Sequence, residues 1–207
     1  KALRDMRRMS AVGGFSNYLR IPQCVEGYSL LKIDNDIPLR TAVLFEPFVI
    51  GTRGVKILNQ QPGDCAIVFG AGIIGMTAAI MLDWYGAEKV MVVDLSEYRL
   101  ENARKFGFAT CNPAKEDLRE KALATFGTAQ SYLGERCAAR LYVDCLGVKQ
   151  ALEYFAMLAP REGEISIVGV HKEPVALDYV GVSFSNWHIH GCGNADTEAM
   201  LPEIVAM

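Results

Sequence analysis

Apolar residues along the chain come in short dense runs separated by turn-forming clusters, and the spacing within the runs is of two kinds. Ala66–Phe69, Val90–Val93, Leu141–Cys145 and Ile165–Val168 are short, mostly apolar and rich in Val and Ile, which predicts strands. A further short strand is expected near Thr110 and another over Trp187–His190. Between these runs apolar positions fall three and four apart, predicting helices over 73–85, 97–106, 117–133 and 148–158. In the last, Ala151, Leu152, Phe155 and Leu158 share one face, as sheet packing requires. Nearly continuous apolar strands are covered on both sides, and strand alternating with helix predicts a parallel sheet with right-handed crossovers. The expected class is therefore α/β, a doubly wound parallel sheet of six strands.

The first third reads differently. Gly14–Pro22 partly alternates apolar and polar residues, as a half-buried strand does, and residues 23–37 are irregular, with Asp34-Asn35-Asp36 as turn material. From Pro38 the pattern turns helical, and a second helix is expected from about Pro47 to Leu58 before the Pro62-Gly63-Asp64 turn.

Composition narrows the function classes. Of 207 residues 51% are hydrophobic and 22% charged, with a net charge of −3, which excludes intrinsic disorder and argues against a general nucleic-acid partner. The stretch Cys65–Leu82 carries no charge, yet Gly70, Gly72 and Gly75 and its β-rich start fit a strand-turn-helix better than a membrane span. The first 22 residues hold five basic residues and no apolar core, so no signal peptide is read there. Cys24, Cys65, Cys111, Cys137, Cys145 and Cys192 form no C-x-x-C pair, which speaks against a zinc ribbon and for reduced, mostly buried thiols in a cytoplasmic protein. The chain opens on Lys1 and stops at Met207 inside a helix-like segment, as an excised piece of a longer protein would.

The chemistry concentrates in Ala66-Ile-Val-Phe-Gly70-Ala-Gly72-Ile-Ile-Gly75. A lone G-x-G-x-x-G is weak evidence, but this one follows an apolar strand and opens a helix. Gly70 permits the tight turn, Gly72 lets backbone approach a pyrophosphate, and Gly75 lets helix pack close to strand. The helix N-terminus offers free N–H groups and a positive dipole end to phosphate. Asp94 ends the second strand 19 residues after Gly75, where a carboxylate accepts bonds from ribose hydroxyls and repels a 2′-phosphate. The site should thus prefer NAD to NADP; the plainer alternative for Asp94 is an N-cap of the helix beginning near Ser96. A methyltransferase loop normally needs a glycine where Ile74 stands, and a flavoprotein motif normally opens its chain, whereas 69 residues precede Gly70.

With these residues in view, the chain resembles the medium-chain, zinc-containing alcohol and polyol dehydrogenases of the sorbitol type. Gly13–Pro22, Leu44–Gly51 and the stretch from Pro62 through Asp94 carry the likeness, and Val143–Gly147 and Ile165–Val170 fit the later cofactor strands. The resemblance implies that residues 1–37 are the tail of a GroES-like catalytic domain and that 38–207 form an NAD-binding Rossmann domain. Glu46 then neighbours or supplies a catalytic-zinc ligand, its carboxylate pointing to the polyol branch. Gly70, Gly72, Ile73, Ile74, Gly75, Asp94 and Arg99 would hold the cofactor, with Ile74 against the nicotinamide ring and Arg99 beside the adenosine ribose. Gly147, Val168 and Val170 would line the nicotinamide half. The substrate would be a small alcohol or polyol, the partner a second copy of the chain paired through the strand near Trp187–His190, with neither nucleic acid nor membrane involved. The resemblance also implies a catalytic cysteine and a Gly-His-Glu motif that the sequence lacks, so the chain alone should bind dinucleotide without turning over alcohol. The alternative is a sensor or scaffold module using the fold without chemistry; a zinc-free quinone reductase relative fits Glu46 less well.

Several residues carry plainer readings. His188, His190 and Cys192 recur every second residue and could share one face as metal ligands, although an edge strand meeting water or another subunit explains them as well. His171, just after a cofactor strand, could touch ligand but is expected as a solvated loop histidine; Asp144, close to the ligand crevice, could perturb the site, though a cap on the next helix is favoured; Met76, Met81 and Trp84 are expected as core.

Overall fold

The structure is a computed structural model that describes residues 17–18, 25–26, 32–193 and 197–206. The backbone divides into two compact units, residues 1–43 and 44–207. The strand expected over Gly14–Pro22 lies mostly outside the described residues. In the first unit a single helical turn, α1 (Leu39–Ala42), starts from Pro38.

The second unit begins with α2 (Phe45–Lys56). Pro47 falls in its first turn, where a missing N–H breaks no intrahelical bond. Then come β1 (Cys65–Phe69), α3 (Ile73–Trp84), β2 (Lys89–Val93), α4 (Glu97–Lys105), β3 (Ala109–Cys111) and α5 (Leu118–Phe126). After a two-stranded ribbon of β4 (Thr128–Ser131) and β5 (Gly134–Cys137), the chain continues as β6 (Leu141–Asp144), α6 (Lys149–Leu158), β7 (Glu164–Ile167), α7 (Tyr179–Phe184), β8 (His188–Gly191) and α8 (Thr197–Ala206).

Six strands form one parallel sheet in the order β3-β2-β1-β6-β7-β8. Alternation along each strand makes two cores. Ala66, Val68, Val90, Val92, Leu141 and Val143 face α2 and α3, while Ile67, Phe69, Met91, Val93, Tyr142 and Ile165 face α5 and α6. Burying each large side chain stabilises the fold by about 1.5–3 kcal/mol relative to exposure, so both faces are needed. β1 sits between β2 and β6, whose connections run to opposite sides. That reversal opens a crevice beyond the carboxyl ends of β1 and β6, the usual place for a ligand in such sheets.

Two expectations need correction, and one element was not expected. The helix expected over 117–133 stops at Phe126, because Gly127 at φ +79° breaks it and an antiparallel ribbon follows. Tyr132, at the ribbon's turn, stacks on Phe184 of α7, an element the apolar pattern did not reveal. Trp84 is 56% exposed at the end of α3 rather than core. Among the described residues no helix is long and apolar enough to cross a membrane.

The sheet is pinned at its other end by a polar cluster. Arg140 pairs with Asp64 and, at 2.5 Å, with Glu164, whose second oxygen accepts the Asn59 N–H and contacts His190. Burial alone would raise the Glu164 pKa, but the Asn59 N–H, Arg140 and His190 outweigh it and the carboxyl titrates lower than usual.

Candidate cofactor site

The loop after β1 is shaped by its three glycines. Gly70 takes φ +104°, a left-handed conformation that favours glycine. A Cβ on Gly75 would lie 1.8 Å from the Gly70 carbonyl oxygen, so only glycine lets α3 start this close to the strand. A Cβ on Gly72 would meet nothing within 4 Å; the space over this residue is open. Gly72 is also the N-cap of α3, and no side chain caps that end. Open space beside an uncapped helix N-terminus is the arrangement that admits a phosphate. Ile73 is exposed on the first turn and Ile74 is half-buried behind it.

Asp94 holds this loop from the neighbouring strand. One carboxylate oxygen accepts the Ala71 N–H at 2.7 Å and the other the Ser96 N–H at 2.8 Å, and the residue is buried. The α4 cap is Ser96, so Asp94 is an Asx-type turn residue and loop anchor rather than the N-cap. A carboxylate accepts about four hydrogen bonds, which leaves capacity for two hydroxyls. Arg99 Nη1 stands 3.7 Å from Asp94. Both line a cleft of ≈ 730 Å³ whose apolar walls include Phe69, next to the glycine motif, and Pro113, Val148 and Tyr154, which no sequence motif marked.

A second cleft of ≈ 500 Å³ lies between the loops after β6 and β7, and Leu146, Val148 and Gln150 face both clefts. Gly147 adopts φ +68°, and a Cβ there would come within 2.6 Å of the Val170 backbone. Val170 is 82% exposed at the cleft, whereas Val168 is half-buried against Gly54 of α2. Asp144 does not cap α6, whose N-cap is Val148. Its carboxylate accepts the Leu146 and Gly147 N–H groups and contacts His171 Nε2 at 2.6 Å. The His171 side chain is only 16% exposed, not the solvated loop histidine the sequence suggested.

Glu46 is exposed in the first turn of α2. The Thr77 hydroxyl, 3.1 Å from the Pro47 carbonyl and 2.8 Å from that of Ile74, ties that turn to α3. Gly51 permits the approach, since a Cβ there would lie 2.2 Å from Thr77 Oγ1. Among the described residues no three His, Cys, Asp or Glu side chains are grouped to hold a metal, so Glu46 alone does not fit a zinc site. His188 and His190 instead stack at 6.3 Å between ring centroids. The described cysteines are free thiols; burial pushes Cys137 up to about 11 and Cys111 up to about 12, and raises Cys65, Cys145 and Cys192 as well. They stay protonated at neutral pH and act as small apolar side chains.

Comparison with known proteins bears on the same residues. An L-threonine 3-dehydrogenase of Anaeromyxobacter dehalogenans (strain 2CP-1 / ATCC BAA-258) is 29% identical over 196 residues, which cover 94% of this chain and 53% of that protein. A protein described as a putative D-xylulose reductase, from Agrobacterium fabrum, is 33% identical over 152 residues, covering 73% of this chain and 41% of that one. The chain thus spans about half the length of the curated relatives it matches. The crystal structure of 2R,3R-butanediol dehydrogenase from Bacillus subtilis shares the fold, with a TM-score of 0.73 at 21% identity over 85% of this chain and 48% of that one. The sequence profile described as zinc-binding dehydrogenase matches residues 74–206, from the first turn of α3 through α8, and the chain belongs to that family.

Proposed function

We propose that this chain is the NAD-binding part of a zinc-dependent dehydrogenase that transfers hydride between an alcohol or polyol and the nicotinamide. The observation that carries the reading is the Gly70–Gly75 loop: open over Gly72, uncapped at α3 and anchored to buried Asp94. In it the N–H groups at the start of α3 receive the pyrophosphate. Asp94 accepts the ribose hydroxyls and disfavours a 2′-phosphate, and the apolar walls of the first cleft sandwich the adenine. Ile73 and Ile74, with Gly147, Val168 and Val170, exclude water from the nicotinamide half. A bound nicotinamide would supply the hydride acceptor for oxidation of an alcohol to a carbonyl, the hydroxyl proton being released to solvent. Residues 1–37 are assigned to the GroES-like catalytic domain and 38–207 to the cofactor domain. Glu46 is assigned to the neighbourhood of the zinc, and no set of further ligands stands beside it among the described residues. The protein is read as cytoplasmic and as a homo-oligomer that pairs through edge strand β8.

Thermal melting with NAD and with NADP tests the reading. Saturating NAD at about 100 times Kd stabilises by about 2.7 kcal/mol, an upward shift of roughly 5–10 °C for a chain of this size, and NADP gives much less. No shift with either dinucleotide, or a larger one with NADP, overturns it. Alcohol-dependent NADH formation by this chain alone would contradict the expected need for further zinc ligands.

A further inference from the structure

Asp144 makes more bonds across the second cleft than a helix cap would. Its backbone carbonyl accepts the N–H groups of Val168 and Gly169, at 2.9 and 2.8 Å, where the chain leaves β7. One carboxylate oxygen accepts the N–H groups of Leu146, at 2.8 Å, and Gly147, at 3.0 Å, where the chain leaves β6. The other oxygen meets His171 Nε2 at 2.6 Å, three residues beyond Val168. The carboxylate is fully buried. One residue therefore organises both walls of the cleft, and His171 supplies the side-chain tie between them.

Glycines make the tie effective. A Cβ on Gly169 would lie 2.1 Å from the Gly147 nitrogen, and one on Gly147 would lie 2.6 Å from the Val170 carbonyl oxygen. The two loops thus touch backbone to backbone. The main-chain bonds to Asp144 end at Gly169, however, and beyond it, next to Val170, His171 carries the side-chain bond back to Asp144. The adenine-side cleft, with Asp94 and Arg99, does not include His171.

We propose that Asp144 and His171 form a clasp that sets the width of the cleft between the β6 and β7 exits, making His171 a positioning residue for the redox half of the dinucleotide. This inference rests on the NAD-binding reading above. His171 touches none of the reacting atoms and transfers no proton in this role. The imidazole N–H donates to the Asp144 carboxylate, and what it fixes is the Val170 segment.

The test compares NADH with ADP-ribose, which carries the adenosine diphosphate half but no nicotinamide. Both are titrated into the chain and into its His171→Ala and His171→Gln variants, and each variant's melting temperature is recorded. His171→Ala should lose roughly tenfold in NADH affinity, the cost of a charge-assisted hydrogen bond, and keep ADP-ribose affinity within about twofold. His171→Gln, whose side-chain amide can donate to Asp144, should recover most of the NADH affinity. In the unaltered chain the imidazole Nε2 proton should be protected from solvent exchange by NMR. Unchanged NADH binding in His171→Ala, equal losses for both ligands, or a folded His171→Gln variant that recovers nothing would each overturn the clasp. Failure of the unaltered chain to bind either ligand is a different result: it removes the NAD-binding reading, and the clasp falls with it.

Discussion

Two glycines three residues apart, Gly72 at the N-cap of α3 and Gly75 in its first turn, should fail in opposite ways when replaced by alanine. At Gly72 the added methyl meets no atom within 4 Å, and the backbone, at φ −70° and ψ −178°, is one that alanine adopts freely. Two small stability effects oppose each other. Alanine restricts the unfolded chain, a gain of about 0.4–1 kcal/mol, but is a poorer N-cap than glycine by a similar amount. Gly72→Ala should therefore melt within about 3 °C of the parent chain. Its methyl nevertheless fills the space through which a pyrophosphate approaches the α3 N–H groups, and NADH affinity should fall at least roughly tenfold, by about 1.4 kcal/mol or more. At Gly75 the methyl would stand 1.8 Å from the Gly70 carbonyl oxygen, well inside van der Waals contact, and the obstacle is backbone. Helix α3 must move away from β1, an overpacking cost of about 1–3 kcal/mol that lowers the melting temperature by roughly 3–10 °C. Thermal melting of both variants, with NADH fluorescence titration, separates the two signatures. A Gly72→Ala chain that binds NADH like the parent, or that is destabilised as much as Gly75→Ala, would refute the reasoning.

Asp94→Ala should leave the Ala71 and Ser96 N–H groups without their acceptor, at about 1–3 kcal/mol, and raise NADP affinity relative to NAD; an unchanged ratio of the two affinities would show that Asp94 does not read the ribose. Arg140→Met should lower the melting temperature by roughly 6–12 °C, because it strands the Asp64 and Glu164 carboxylates at the amino ends of the sheet and costs about 3 kcal/mol. That deficit should depend on pH in one direction. The folded-state pKa of Glu164 is depressed, so its contribution is complete above the ordinary carboxylate value of about 4.3 and is lost as pH falls through the lower folded value. Melts of Arg140→Met and the parent chain should therefore converge in acid, and a constant gap at every pH would count against the Glu164 pairing.

What the amino-acid sequence determined by itself was whatever depends on local spacing. Strand-period and helix-period runs placed β1, β2, β6 and β7 and helices α3, α4 and α6 to within a residue or two, because both faces of a parallel sheet must be apolar and each helix needs one apolar stripe. Gly70, Gly72, Gly75 and Asp94 were legible as a set because the turn, the close approach and the acid at the next strand's end are tied to chain spacing. Tertiary structure decided the rest. The β4–β5 ribbon is too polar and α7, at six residues, too short for a periodic signal, and the Tyr132–Phe184 stack that joins them spans 52 residues. Asp144 reads as a helix cap until β7 brings His171 to it from 27 residues away. Likewise His190 reads as a metal candidate until Glu164, diagonal to it across the β7–β8 pairing, accounts for it. Hydrogen-bond partners distant in sequence are fixed by strand order and register, which no window along the chain contains.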